Sequence, residues 1–197
     1  MIIVISGPSG SGKSTIVSEL KKENYLYSIS VTTRKKRENE INGRDYFFVS
    51  VEEFKKMIEE GKFLEYAKVY GNYYGTLKKT IYNALKENKD IILDLDTKGS
   101  IRIKKLFKDD ALLIFLLTDT IETLKERLLK RSTENEEEIR KRINAVKKEI
   151  KDAKKFDYIV MNMSIDGTIE EIKNIIASER KKISRNLHIL ENFLKNL

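Results

Sequence analysis

Residues 2–15 read IIVISGPSGSGKST, and this stretch decides the fold. Residues 2–5 are all apolar and β-branched, which favours a strand buried on both faces of a parallel sheet. Residues 7–14, GPSGSGKS, match the GxxxxGK[ST] pattern of a phosphate-binding loop. We expect a helix over 14–23, so the loop lies directly between a strand and a helix, which is the context that this pattern requires.

The chemistry of this loop indicates a bound triphosphate. Its glycines let successive backbone N–H groups face one anion, and the helix N-terminus adds a partial positive charge. Lys13 can span the β- and γ-phosphates, and the Ser14 hydroxyl can coordinate Mg²⁺. The expected triphosphate-binding residues are Gly7, Pro8, Ser9, Gly10, Ser11, Gly12, Lys13, Ser14 and Thr15.

The rest of the chain alternates strands with helices. Further apolar runs at 27–31, 91–95, 112–117 and 158–161 are candidate strands, separated by charged helical stretches. This alternation predicts an α/β fold of three layers, a central parallel sheet flanked by helices.

Two segments interrupt this pattern. Residues 34–80 contain a short amphipathic helix and aromatic residues around a Gly-Asn turn, which indicates a small α+β insertion. Residues 121–150 are dense in charge and predict a mobile helical flap. We expect one domain, with core segments 1–33, 81–122 and 151–197, the insertion 34–80 and a helical lid 123–150.

Composition excludes several classes of protein. The 197 residues are 40% hydrophobic and 36% charged, as in a globular domain with a highly charged surface. There is no Cys and one His, His188, so disulfides, thiolate chemistry and a Ser-His-Asp triad are excluded, and a reducing cytoplasm is expected. No apolar run approaches the roughly 20 residues that cross a membrane, and no export signal is recognisable at the N-terminus. The net charge of +8 indicates an anionic partner.

The arginines are concentrated in two windows. Seven of the ten lie in 34–44 and 127–142, where a Lys-rich chain places the side chains best suited to oxyanions. The first window could be a solvated loop or a nucleic-acid patch. However, Ser30, Thr33, Tyr46 and the Tyr73–Tyr74 pair supply hydroxyl donors nearby, and arginine with hydroxyl donors suits a phosphate monoester.

Triphosphate binding alone allows a GTPase, a motor-like ATPase or a kinase. Asp96-Thr-Lys-Gly99 matches the DxxG of GTPases, but their guanine-reading NKxD is absent. A kinase requires a second anion site, and the 34–44 window supplies a candidate for it.

Seven motifs identify the chain as a member of the guanylate kinases, which it resembles over roughly residues 2–175. They are GPSGSGKST, S-x-TTR-x-x-R, E-x-NGRDYFFVS, FLEYA, GNYYGT, ILDLD and R-x-x-x-R-x-TE-x-x-E, in the order seen in that family. The resemblance implies transfer of the γ-phosphate of ATP to GMP, giving ADP and GDP, with Mg²⁺ as cofactor and dGMP left open as an acceptor.

The resemblance also implies residue roles. Arg34, Arg37, Tyr46 and Tyr74 would hold the GMP phosphate. Glu65 would accept hydrogen bonds from N1–H and the 2-amino group of guanine, which adenine cannot donate. The implied GMP-binding residues are Ser30, Arg34, Arg37, Tyr46, Glu65, Tyr74, Gly75, Thr76 and Asp96; helix capping is the structural alternative for Asp96. The implied catalytic residues are Lys13, Arg34, Arg37, Arg131 and Arg142.

For ATP, the resemblance adds Arg127 and Asn162 to the loop residues, and Asp94 joins Ser14 near the Mg²⁺ through water. Asn162-Met163 departs from the Asn-Asp that the family commonly has near the adenine. Three other functions stay open: another P-loop phosphotransferase, a catalytically inactive scaffold module and a nucleic-acid binder. The last is disfavoured because the basic residues lie in the catalytic motifs, and we expect no membrane partner.

The C-terminal segment predicts a helix. Thr168-x-x-Glu171 fits a capping box, and Ile169, Ile176, Ile183, Leu190 and Leu197 recur every seven residues. We expect this helix either to pack on the sheet with a frayed end or to make a homodimer contact through its distal half. The chain is then a monomer or a homodimer.

Overall fold

A computed structural model describes residues 1–23, 25–69, 71–130 and 136–197, without the side chains of 128–130 and 136–142. The described strands are β1 (Ile2–Ser6), β2 (Leu26–Tyr27), β3 (Val31–Thr32), β4 (Phe47–Phe48), β5 (Phe63–Val69), β6 (Asn72–Leu77), β7 (Ile91–Asp94), β8 (Ala111–Leu117) and β9 (Tyr158–Met161). The described α-helices are α1 (Lys13–Leu20), α2 (Val51–Glu59), α3 (Lys78–Lys86), α4 (Thr97–Phe107), α5 (Ile121–Lys130), α6 (Glu136–Asp152), α7 (Ile165–Arg180) and α8 (Leu187–Lys195).

A five-stranded parallel sheet forms the core, in the order β2-β7-β1-β8-β9. β1 lies at its centre, where Ile2, Ile3, Val4 and Ile5 are all fully buried. Their uniform apolar character is what a central strand covered on both faces requires.

Helices cover both faces of this sheet. Alternate residues of β1 point to opposite faces, so Ile3 packs with α1 and α7, whereas Ile2 packs with α3 and α4. Ile16 of α1 and Ile172 of α7 are fully buried on the first face, as are Ile81 of α3 and Ile103 of α4 on the second. The predicted three-layer α/β fold is therefore confirmed.

A second, smaller sheet stands beside the core in the order β4-β3-β6-β5. β5 and β6 form an antiparallel hairpin around Gly71. α2 covers this sheet through Phe54, whose ring stacks 4.5 Å from that of Phe63 and 5.3 Å from that of Tyr73, between centroids. These aromatic contacts give the insertion a small core of its own.

The predicted single strand at 27–31 is wrong, because the chain divides it between the two sheets. The Ser28 amide donates to the Ile92 carbonyl of the central sheet at 2.9 Å, whereas the Ser30 carbonyl accepts from the Phe47 amide of the second sheet at 2.9 Å. The chain therefore crosses from one sheet to the other at residues 28–30, a change of partner that local hydrophobicity does not indicate.

The predicted capping box at Thr168 is also wrong. Helix α7 begins one turn earlier, and the Ser164 side chain caps it by accepting a hydrogen bond from the Gly167 amide at 3.3 Å. Thr168 lies inside the helix, where its hydroxyl donates to Oδ1 of Asn162 at 3.1 Å.

The seven-residue repeat does not lie on one helix. α7 ends at Arg180, and Ile183 lies in a 3₁₀ turn, Ile183–Arg185, before α8 begins. Ile176 is fully buried, but Ile183 is 69% exposed and Leu190 is 52% exposed. The proximal half of the segment packs on the sheet as expected, and the distal half is a separate helix with an exposed apolar surface.

In the described part of the chain, no helix combines the length and hydropathy needed to cross a membrane.

Candidate active site

The phosphate-binding loop joins β1 to α1 at the carboxyl edge of the central sheet. Gly12, which immediately precedes α1, adopts a left-handed conformation with φ of 86°. A Cβ atom at this position would lie 2.2 Å from Nδ2 of Asn162, so both the backbone conformation and the available space require glycine.

Lys13 lies at the mouth of this loop, beside Asp94. β1 and β7 are neighbours with Ile5 opposite Asp94, which brings the Asp94 carboxylate next to the loop. The Lys13 Nζ atom is 3.4 Å from Oδ1 of Asp94 and donates to the Gly7 carbonyl at 3.2 Å. A lysine, a carboxylate and the exposed Ser14 hydroxyl thus meet where the triphosphate is expected.

A cleft of 620 Å³ lies between this loop and the second sheet. It brings together most residues that the sequence assigned to the two substrates, since its lining includes Gly7, Pro8, Ser9, Gly10, Gly12, Lys13, Ser14, Ser30, Arg37, Tyr46, Glu65, Tyr74, Gly75, Asp94 and Asp96. The two predicted anion sites therefore face each other across one cavity.

Glu65 is the buried carboxyl of this cleft. It is 7% exposed, and its Oε1 accepts a hydrogen bond from the hydroxyl of Thr76, opposite it in the hairpin, at 2.8 Å. Burial raises the pKa of Glu65 to about 7, although the hydrogen bond from Thr76 favours the ionised form. Its other oxygen, Oε2, lies near Gly99, where a Cβ atom would come within 2.9 Å of it.

Asp96 caps a helix, which was the alternative to a role in GMP binding, and it also lines the cleft. It is the N-cap of α4, and its Oδ1 accepts from the Gly99 amide at 2.6 Å. This hydrogen bond holds the Asp96 carboxylate near Glu65, because a Cβ atom at Gly99 would lie 3.1 Å from Oδ1 of Asp96 and 2.9 Å from Oε2 of Glu65.

Arg34 does not line the cleft, because Glu40 holds it. Its Nη1 and Nη2 atoms donate to the two carboxylate oxygens of Glu40 at 3.0 and 2.6 Å, and Glu40 also accepts from the Arg37 amide at 2.8 Å. Burial opposes both charges, but the paired hydrogen bonds outweigh it, raising the pKa of Arg34 and lowering that of Glu40. Glu40 had no role in the sequence analysis, although it opens the E-x-NGRDYFFVS motif.

Two tyrosines, Tyr46 and Tyr74, pack against each other near Arg34. The Tyr46 ring lies 6.1 Å from that of Tyr74 and 5.4 Å from the Arg34 guanidinium carbon. Burial raises the pKa of Tyr46 well above its usual value, so its phenol remains an O–H donor at neutral pH.

Glu149 is a second residue that the sequence analysis missed. It comes from helix α6, within the segment predicted to be the lid, and it lines the same cleft. Burial raises its pKa to about 7, and the charge of Lys13 opposes this rise. A single glutamate on a charge-dense helix gives no signal in the sequence that separates it from its solvated neighbours.

A smaller cavity of 370 Å³ adjoins the phosphate-binding loop and includes Thr15, Arg127 and Asn162 in its lining. Asn162 is 7% exposed, and its Nδ2 donates to the Ser11 carbonyl at 2.8 Å. Asn162, which directly follows β9, therefore supports the phosphate-binding loop. Arg131 lies outside the described residues, as does the side chain of Arg142, so their predicted roles stay predictions.

The phosphate-binding loop and the Glu65 pocket open on one cleft, an arrangement that belongs to P-loop phosphotransferases acting on two nucleotides. A family model described as guanylate kinase matches residues 1–179. The chain belongs to the guanylate kinase family, nucleoside monophosphate kinases that transfer the γ-phosphate of ATP to GMP.

Individual relatives agree with the family model. The chain is 45% identical to guanylate kinase from Clostridium tetani over 186 residues, which cover 94% of this chain and 89% of that protein. It is 44% identical to guanylate kinase from Clostridioides difficile over 200 residues, covering 100% and 97%. Its structure is similar to the crystal structure of guanylate kinase from Anaplasma phagocytophilum, with a TM-score of 0.79 and 30% identity over 94% and 88% of the two chains.

Proposed function

We propose that the cleft holds GMP on the side of the second sheet and the triphosphate of ATP on the side of the phosphate-binding loop. The observation that carries this assignment is the placement of Glu65 and Lys13 in the lining of one cavity. A buried carboxyl and a loop lysine in one cleft suit a purine base on one side and phosphates on the other.

Guanine is read by Glu65, with Ser30 and Thr76 beside it. The Thr76 hydroxyl fixes one carboxylate oxygen, and both oxygens can accept hydrogen bonds from N1–H and the 2-amino group of guanine. Adenine presents an acceptor at N1 and no 2-amino group, which leaves this buried carboxylate unpaired. Sites of this kind discriminate by roughly 10⁴-fold or more.

The phosphate of GMP is held by Arg37, Tyr46 and Tyr74, and Arg34 supports them from its pair with Glu40. These contacts go to the base and the phosphate, and none requires the 2′-hydroxyl. dGMP is therefore proposed as a second acceptor.

The donor phosphates are held by the backbone of Gly7–Thr15 and by Lys13. Hydroxyl and carboxylate oxygens suit Mg²⁺, and Ser14 and Asp94 supply both at the mouth of the loop. When bound, Mg²⁺ neutralises charge on the phosphate oxygens. Lys13 Nζ, held by Asp94 and the Gly7 carbonyl, is placed to contact the β- and γ-phosphates as the charge of the transition state develops.

No protein nucleophile is needed. A phosphate oxygen of GMP attacks the γ-phosphorus while the β–γ bridging oxygen leaves with ADP, so the work of the chain is to align two polyanions and offset their repulsion. Arg37 and Lys13 lie in the described cleft for this purpose, and Arg131 and Arg142 are proposed to join them from the lid.

The assignment is tested by ADP release with saturating ATP and GMP, dGMP, AMP or ribose 5-phosphate as acceptor. We expect turnover with GMP and dGMP at least 1,000-fold above that with AMP and ribose 5-phosphate, a conservative bound on hydrogen-bond discrimination. Comparable rates with AMP would contradict the role of Glu65.

We also propose that the enzyme acts in the cytoplasm, and that α8 is the contact if the chain forms a homodimer. Leu187, Leu190 and Leu194 of α8 are each at least 51% exposed, which supports such a contact. Sedimentation of the intact chain and of a truncation at Arg180 tests it, since a monomeric mass for both would contradict the dimer contact.

A further inference from the structure

Gly99 lies in the first turn of α4, next to the Glu65 carboxylate. It ends the Asp96-Thr-Lys-Gly99 segment, which matches the DxxG of GTPases although the chain belongs to a different family. Glycine is less favourable than alanine inside a helix, because it loses more backbone entropy on folding. Its presence at this position therefore calls for a local cause.

Space, and not backbone conformation, requires glycine at residue 99. Gly99 lies within α4 and does not have a positive φ, unlike Gly12. It is buried, however, and a Cβ atom on it would lie 2.9 Å from Oε2 and 3.3 Å from Cδ of Glu65. Both distances are shorter than ordinary van der Waals contact. The missing side chain is thus what allows the Glu65 carboxylate to lie against α4.

Neighbouring hydrogen bonds hold Glu65 in this position. Nη1 of Arg102, one turn after Gly99 on α4, donates to the carbonyl of Tyr66, the residue that follows Glu65 in β5. The Thr76 hydroxyl donates to Oε1 of Glu65 at 2.8 Å. One oxygen of the carboxylate is therefore held within the insertion, and the other lies against the core at Gly99.

We propose that Gly99 is a positioning residue that sets acceptor specificity, because its lack of a side chain lets Glu65 present both oxygens to N1–H and the 2-amino group of guanine. This inference rests on the proposed role of Glu65 in reading guanine. A methyl group at residue 99 would push Oε2 away from α4, since the carboxylate is the free end of a side chain and the helix backbone is fixed. A misplacement of about 1 Å can lower turnover about 100-fold.

Gly99→Ala tests this role. We expect the KM of GMP to rise about tenfold or more as hydrogen bonds to a charged group weaken, with the KM of ATP within about twofold. kcat/KM for AMP should not change, because adenine lacks the two donors. The Tm should stay within about 3 °C, since a side-chain end moves rather than the backbone. An unchanged KM of GMP, or an equal loss of kcat/KM with AMP, would overturn the inference.

Gly167 of α7 provides a matched control. Like Gly99, it is the third residue after an N-cap, and its amide donates to the side chain of that cap, Ser164. A Cβ atom on Gly167 would lie 2.8 Å from Oγ of Ser164, as one on Gly99 would lie 3.1 Å from Oδ1 of Asp96. Gly167→Ala thus crowds a helix cap alone and should leave the KM of GMP unchanged. A rise equal to that of Gly99→Ala would contradict the proposal.

A second variant separates the contact with Glu65 from other effects of a methyl group on α4. Glu65→Asp shortens the side chain by one methylene and withdraws the carboxylate from residue 99. In that background Gly99→Ala should lower kcat/KM for GMP by about threefold or less, against tenfold or more in the unaltered chain, because residues in contact are not additive. Equal factors in the two backgrounds would overturn the inference. If the unaltered enzyme does not prefer GMP to AMP, the proposed function itself fails, so the two failures are distinct.

Discussion

Oε1 of Glu65 accepts a hydrogen bond from the hydroxyl of Thr76 at 2.8 Å, and the two side chains are 7% and 1% exposed. A carboxyl this deeply buried has one protein hydroxyl as its side-chain donor in the described structure, which leaves acceptor capacity for a ligand. The burial and the single partner together make Glu65 sensitive both to substitution and to pH.

Replacing Glu65 with glutamine tests the base-reading role. The amide cannot accept from both N1–H and the 2-amino group, and its NH₂ group faces one of these donors, so we expect kcat/KM for GMP to fall about 100-fold or more. The KM of ATP should stay within about twofold. Steady-state kinetics with each substrate varied measures both values. Glu59→Gln, at an exposed glutamate on α2, is the control and should behave as the unaltered chain.

The binding of GMP should weaken as the pH falls through 7. Burial raises the pKa of Glu65 to about 7, and the proposed contact with guanine requires the carboxylate, so at pH 6 roughly a tenth of the free enzyme would have the binding form. The dissociation constant of GMP should therefore be about tenfold higher at pH 6 than at pH 8, by calorimetry. Titration of the GMP phosphate, with a pKa near 6, adds about a factor of two. The Glu65→Gln variant should show only that smaller factor, and an equal pH dependence in both proteins would contradict the role of Glu65.

Arg37→Ala should lower turnover far more than it changes ATP affinity. Among the arginines of 34–44, Arg37 is the one that lines the cleft, whereas Arg34 is paired with Glu40 and Arg44 with Asp45. We expect kcat to fall about 100-fold or more, because a charge that stabilises the transition state is lost. Arg44→Ala is the matched control, with little effect. A near-normal kcat for Arg37→Ala would show that the residue has no part in transfer.

Asn162→Ala should weaken the phosphate-binding loop rather than remove a direct ligand contact. The change leaves the Ser11 carbonyl and the Thr168 hydroxyl without their partner, which costs about 1–3 kcal/mol. Each kcal/mol should lower Tm by about 2–4 °C in a chain of this size. Calorimetry should show the lower Tm together with weaker ATP binding. Asn83→Ala, at an exposed asparagine of α3, should leave both unchanged, and an unaltered Tm for Asn162→Ala would contradict the supporting role.

The central sheet could be predicted from the sequence because its strands are buried on both faces. Runs such as IIVI have no polar side chain on either face of the strand, so a buried position in the central sheet follows from the sequence. The crossing at 28–30 could not be predicted, since local hydrophobicity does not specify which of two sheets a residue joins. Ser164 and Thr168 illustrate a similar ambiguity, because both are residue types suited to an N-cap, and the structure shows that α7 begins after Ser164.

In the candidate site, too, some residues could be predicted from the sequence and others could not. The phosphate-binding loop and the FLEYA and GNYYGT motifs have fixed local patterns, and the structure brings many of their residues to one cleft. Glu149 has no such pattern, because a glutamate in a charged segment gives no sign of what it faces. Glu40 does open the E-x-NGRDYFFVS motif, but the motif does not indicate that its partner is Arg34. Asn162 was assigned to ATP from resemblance, whereas its side chain donates to Ser11 of the phosphate-binding loop and accepts from Thr168 of α7.

The pairing of Arg34 with Glu40 has a consequence for how substrate arrives. Residues 34–45 contain five cationic side chains and three anionic ones, and two of the arginines already have carboxylate partners. Long-range attraction depends on the net field, whereas grip at contact depends on individual guanidinium groups. The loop itself therefore adds little long-range attraction for phosphates. The dependence of the GMP capture rate on ionic strength should come mainly from the net charge of +8 on the whole chain.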